Sequence, residues 1–161
     1  MRAAILALGL VLSLSSRAGA RLKLPVPAPA LRLVDLDGRK VNLAALQGQV
    51  VLVDFWATWC GPCVEQAPRL KALQEKHRHS GLRLIGLSLD DSAAPVEKFR
   101  KKLGLNYPVA LADVSTTAAF GGVLGLPTLF VIDRKGQVVF ERRGEIGPKE
   151  LDALAENALA Q

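Results

Sequence analysis

Residues 50–63 read VVLVDFWATWCGPC and hold the only two cysteines of the chain, Cys60 and Cys63. VVLVDF is a continuous apolar run broken only by Asp54, which predicts a strand buried on both faces. Gly61 and Pro62 separate the cysteines. Proline suits the first turn of a helix, where a missing N–H costs nothing. The stretch therefore predicts a buried strand giving way to a helix, with two thiols at the junction. Such a pair could be a structural staple, a metal clip or a redox switch.

The N-terminus bears on that choice. Arg2 precedes an apolar run, AAILALGLVLSL, and SSRAGA then ends in Ala18-Gly19-Ala20. A positive residue, an apolar stretch and a small-x-small site predict a secretory signal over residues 1–20, cleaved after Ala20. The alternative is an uncleaved membrane anchor, but the run is short against the roughly 20 apolar residues of a full span. No cysteine lies near the cleavage site to carry a lipid. Export allows a disulfide to persist. A bridge between residues three apart closes so small a ring that it constrains the unfolded chain little. The staple is therefore the weakest of the three uses.

The formal net charge is +6 and falls to +4 when Arg2 and Arg17 leave with the signal. The basic residues of RLKALQEKHRHS and EKFRKKLG are mixed with acids at helical spacing, which reads as solvated helix faces. No interleaved aromatic pattern accompanies them, so no nucleic-acid partner is expected.

KLPVPAPA closes a Pro-rich segment, residues 21–30, that reads as an extended linker. LRLVDLDGRKVNL alternates around Asp37-Gly38 and predicts a β-hairpin. AALQG reads as a helical turn stopped by Gly48. After the cysteines, Cys63, Ala67, Leu70 and Leu73 share a helical face, with Pro68 expected to kink it. LRLIGLSL, YPVAL, PTLFVI and QVVFERR read as strands. Val96, Phe99 and Leu103 mark a helix, STTAAF another, and Gly147-Pro148 opens a last one. Strands alternating with helices predict one α/β domain over residues 31–161, a mixed central sheet flanked by helices.

At the strand–helix junction the chemistry of the pair is asymmetric. Cys60 would lie just before the first turn, where backbone N–H groups and the helix dipole favour a thiolate. Cys63, one turn in, would face the interior and stay protonated. Cys60 could then attack a substrate disulfide, and Cys63 could resolve the mixed disulfide. Asp54 is a candidate proton acceptor for Cys63, its pKa raised by burial.

WCGPC preceded by VDFWA resembles the thioredoxin superfamily. The block DLDGRKVNLAALQGQVVLVDFWATWCGPC, GLPTLFVIDRKG and the signal peptide are most similar to its exported TlpA/ResA/CcmG-like branch. The 38 residues from Leu89 to Pro127 are about twice what thioredoxins use, and the branch inserts a helix and strand there. The resemblance implies a thioredoxin-like fold and a thiol:disulfide oxidoreductase. It implies a cis Pro127 beside the cysteines, with Leu126, Pro127 and Thr128 shaping a substrate groove. Trp59 would shield the site, and Gly61 and Pro62 would tune the pair towards reduction. No dissociable cofactor is expected. The implied partners are protein disulfides or dithiols, such as an apocytochrome c or a copper-centre assembly protein, and a membrane thiol reductant. A monomer is expected.

Two positions depart from the branch. Many members carry Asn where Asp54 stands, and many carry Glu where Gln66 stands, next to Glu65. FGGVLGLPT also carries one residue more than usual before the proline. Two other classes compete. A copper(I) chaperone on this fold could use two thiols, but relatives of that kind use CxxxC and a distant histidine, and the histidines here are His77 and His79. A peroxiredoxin would place a lone cysteine in a threonine-containing loop.

Overall fold

The computed structural model describes residues 23–161. The expected signal peptide and its cleavage site lie outside the described residues. In chain order the elements are β1 (Val26–Pro27), β2 (Arg32–Val34), β3 (Lys40–Asn42), a short 3-10 helix (Leu43–Leu46), β4 (Val50–Trp56) and α1 (Gly61–His77). They continue with β5 (Leu82–Ser88), α2 (Ala93–Leu103), β6 (Val109–Leu111), α3 (Val114–Ala119), β7 (Thr128–Ile132), β8 (Gln137–Arg143) and α4 (Pro148–Leu159).

Six strands form a sheet in the order β1-β8-β7-β4-β5-β6. β4 runs parallel to β5 and antiparallel to β7, so the sheet is mixed. β2 and β3 form a separate antiparallel hairpin, with Leu33 opposite Val41. The segment expected as a linker is partly sheet. Val26 pairs with Val138 and Pro27 with Gln137 of β8. Proline is tolerated there because β1 is an edge, where a missing donor breaks no inner ladder. The inserted helix and strand are α2 and β6, and β6 extends the sheet beyond β5.

β4 is central because all seven of its residues are buried. Val50, Leu52 and Trp56 face α1, α2 and α4, whose Leu70, Leu73, Val96, Leu151 and Ala155 complete that side of the core. Val51, Val53 and Phe55 face the other way, against Leu31, Val41 and Leu43 of the hairpin region and against Phe120. Fully burying a Val, Leu or Phe side chain contributes about 1.5–3 kcal/mol, so β4 anchors both layers. Gly86 of β5 is closely approached by side chains on both flanks. A Cβ there would lie 3.1 Å from Trp56 Nε1 and 3.2 Å from Tyr107 Cε2. α1 continues through Pro68 for 17 residues, since the helix buries Ala67, Leu70 and Leu73 on either side of the missing donor.

β4 and β5 end together, Trp56 opposite Ser88, and β7 begins beside them, Thr128 opposite Phe55. This end of the sheet carries Cys60, Asp90 and Pro127 on its connecting segments.

Candidate active site

Cys60 is the N-cap of α1. Its backbone is extended (φ −92°, ψ 105°), and its Sγ accepts the Cys63 N–H at 3.3 Å. Gly61 and Pro62 fill the first helical positions, and proline fits there without loss of a bond. The two sulfurs form a disulfide of 2.11 Å with Cα atoms 5.3 Å apart. Cys60 is 7% and Cys63 2% exposed. An N-cap sulfur that already accepts a helical N–H is placed where a thiolate would gain most from the helix terminus. Trp59, in contrast, is 69% exposed. Its indole stands largely in solvent.

Asp54 sits on the face of β4 that carries Leu52 and Trp56, beneath α1, and is 3% exposed. One residue of α1 reaches it. Gln66 Nε2 donates to Asp54 Oδ1 at 3.3 Å, and Gln66 Oε1 accepts the Ile146 N–H at 2.9 Å. Gln66 is three residues from Cys63 and on the same helical face, so its bond places Asp54 beneath the second turn of α1. Burial pushes the Asp54 carboxyl up to about 7, against the smaller opposing effect of the Gln66 hydrogen bond. The sequence marked Gln66 only as a departure; the structure makes it the link between Asp54 and the segment before α4. Arg69 supports the same segment, pairing with Glu145 and donating to Ile146 O at 3.2 Å.

The Leu126–Pro127 peptide is cis, in agreement with the resemblance, and Leu24–Pro25 is cis as well, which nothing in the sequence signalled. Pro127 is buried and its carbonyl accepts the Gly144 N–H at 2.8 Å. Among the described residues, Leu126 makes no backbone hydrogen bond. Thr128 is 1% exposed and donates its hydroxyl to Gly125 O at 2.7 Å, so it holds the segment before the proline rather than lining a groove.

Sequence reasoning missed a second acid at this end. Asp90 follows β5 and receives the Thr58 N–H at 2.9 Å and the Thr58 hydroxyl at 2.6 Å. The signal available was LSLDD, an acid straight after an apolar strand, but the sequence did not show that Thr58 would reach it. The histidines are not at the site. His77 closes a 17-residue helix, about 21 Å from Cys63 at 1.5 Å per residue, and His79 follows it. Among the described residues no group of three His, Cys, Asp or Glu side chains is placed to hold a metal ion.

A family profile described as Redoxin matches residues 23–159. A thiol-disulfide oxidoreductase ResA of Bacillus thuringiensis subsp. konkukian is 35% identical over 120 residues, which cover 74% of this chain and 69% of the relative. Among solved structures, a thiol:disulfide interchange protein of the thioredoxin family from Chlorobium tepidum superposes with a TM-score of 0.79 at 33% identity, covering 88% of this chain and 99% of its own. A secreted thiol-disulfide isomerase from Corynebacterium glutamicum gives 0.76 at 26% identity, covering 83% and 86%. A CxxC pair at a helix N-terminus, on this fold and in this company, makes the chain a member of the Redoxin family and a thiol-disulfide oxidoreductase of the ResA type.

Proposed function

We propose that the protein is an exported reductase of protein disulfides. The observation that carries this is Cys60 at the N-cap of α1, its sulfur accepting the Cys63 N–H, with the buried Asp54 bonded to Gln66, three residues after Cys63. The Cys60 thiolate attacks one sulfur of a substrate disulfide. The substrate S–S bond breaks, one substrate sulfur leaves as a thiolate, and a mixed disulfide to Cys60 forms. Asp54, as carboxylate, takes the Cys63 proton. The Cys63 thiolate then attacks Cys60 Sγ, and the second substrate sulfur leaves and is protonated. Two electrons pass to the substrate, and the Cys60–Cys63 disulfide is left for a dithiol donor to reduce.

Gly61-Pro62 between the cysteines supports the reducing direction, by likeness to thioredoxin. Leu126 and Pro127 receive the substrate in this reading, the unpaired Leu126 backbone offering an extended peptide its N–H and C=O. Trp59 supplies exposed apolar surface for the same partner. Export is supported by the signal-like first 20 residues and by a structural relative described as secreted. Among the described residues no helix is long and apolar enough to cross a membrane. The donor would be a membrane thiol-transferring protein, and the client an apocytochrome c or copper-centre protein with a vicinal disulfide.

The test is the reduction potential of the Cys60–Cys63 pair, equilibrated against glutathione. A value near about −270 mV, that of thioredoxin, is expected for a reductase. A value near about −120 mV, that of a strong oxidant, would reverse the direction to disulfide donation.

A further inference from the structure

We propose that Thr58 is a positioning residue for the Cys60 thiolate, held in place by the Asp90 carboxylate. This rests on Cys60 being the nucleophile. Thr58 lies two residues before Cys60, in the turn that joins β4 to α1. Its N–H donates to Asp90 Oδ2 at 2.9 Å and its hydroxyl to Asp90 Oδ1 at 2.6 Å. Ser88, the last residue of β5, donates its hydroxyl to Asp90 Oδ2 at 2.7 Å, and the Asp90 N–H donates back to Ser88 Oγ at 3.1 Å. A parallel tie runs from the Leu89 N–H to Trp56 O at 2.8 Å. Ser88 is fully buried and Asp90 is 8% exposed. Both carboxylate oxygens thus join the turn to a strand of the central sheet. Within the turn itself, the Cys60 N–H to Ala57 O contact, at 3.2 Å, is longer than any of the bonds to Asp90.

These ties fix the conformation of Cys60. A sulfur at an N-cap accepts a helical N–H only while its own backbone stays extended. With Thr58 pinned by hydrogen bonds to a carboxylate, Cys60 cannot rotate away without breaking them. Without the Thr58 hydroxyl the turn samples other conformations. The thiolate then loses part of its stabilisation, and the dithiol form becomes less favoured against the disulfide.

The test compares purified wild-type protein with Thr58→Val, Thr58→Ala and Thr58→Ser. Two quantities are read: the pH profile of Cys60 alkylation by iodoacetamide in the reduced protein, and the equilibrium of the pair with glutathione. Thr58→Val should raise the alkylation midpoint, slowing the reaction at pH values below it by about fivefold, because the rate follows the thiolate fraction. At pH values above the midpoints, where the thiolate is populated in both proteins, the glutathione equilibrium should move towards the disulfide by a similar factor. Thr58→Ala should follow Thr58→Val, so an overpacked valine does not decide the result. Thr58→Ser, which keeps the hydroxyl, should match wild type. Asp90→Asn is a poorer probe, because removing a negative charge lowers a thiol pKa while loosening the turn raises it. The proposal is overturned if Thr58→Val and Thr58→Ala lower Tm but leave midpoint and equilibrium unmoved, or if Thr58→Ser shifts them equally. If wild-type Cys60 is alkylated no faster than Cys63 at neutral pH, the nucleophile assignment falls and the positioning role with it. If it is faster, and the variants match it, only the role of Thr58 falls.

Discussion

Asp54 and Asp90 are both buried acids near the same end of the sheet, 3% and 8% exposed, yet their surroundings differ. Asp90 receives three hydrogen bonds of 2.9 Å or less, from Thr58 N, Thr58 Oγ1 and Ser88 Oγ. Asp54 receives one side-chain bond, a long 3.3 Å contact from Gln66. A buried carboxylate surrounded by donors is held as a structural tie. One with a single weak donor pays the desolvation cost and is pushed to about 7. Burial is common to the two; the number and quality of donors differ.

The comparison breaks most visibly at Asp54. Replacing it by Asn should lower turnover of a protein disulfide about a hundredfold near pH 7, within the usual range for loss of a general acid–base group. The same change should stabilise the oxidised protein at pH 8 by up to about 4 kcal/mol. The sign follows from the raised value: the native carboxyl, at about 7 against an ordinary 3.8, favours folding when protonated. That contribution is fully present below about pH 4 and is lost as pH rises through about 7. Chemical denaturation across pH 4 to 9 should show the decline in wild type and a flatter curve in Asp54→Asn.

Asp90→Ala should do the opposite and cost about 2–4 kcal/mol at neutral pH, because buried donors are left without an acceptor at about 1–3 kcal/mol each. A gain in stability there would erase the distinction between the two acids. Smaller effects are expected at Gln66. Gln66→Leu removes the bond to Asp54 and the acceptor for the Ile146 N–H, a loss of about 1–2 kcal/mol. It should also move the Asp54 titration further up, since that hydrogen bond favours the ionised form. The pair Asp54→Asn with Gln66→Glu sharpens this further. It returns a carboxyl to the same contact from the helix side, and a near-neutral titration should reappear in carboxyl-selective infrared spectra.

Much of the fold was legible because patterning and packing agree. VVLVDFW is buried along its whole length, as expected of an inner strand from a continuous apolar run rich in β-branched residues. Gly61-Pro62 placed Cys60 at a helix start by the chemistry of proline alone. The hairpin followed from Asp37-Gly38. The edge strand β1 was not legible, because two prolines in VPAP argue for a linker and only the free edge of β8 makes a place for them. The site was legible where function resides in covalent spacing, as in WCGPC, and opaque where it depends on contacts distant in sequence. Thr58 and Asp90 are 32 residues apart, Gln66 and Ile146 are 80 apart, and no local pattern joins them. The branch resemblance marked Asp54 and Gln66 as two separate departures. In the fold the two side chains touch.

The contrast between the two aspartates is tested most directly by titrating Asp54 itself. With aspartate carboxyls labelled with carbon-13, the Asp54 resonance, assigned by its loss in Asp54→Asn, would be followed by NMR from pH 3 to 9 in the disulfide form. A midpoint near 7 is the predicted result. A midpoint near 4, in the ordinary carboxylate range, would show that burial does not raise the Asp54 carboxyl and would remove it from the proton chemistry of Cys63.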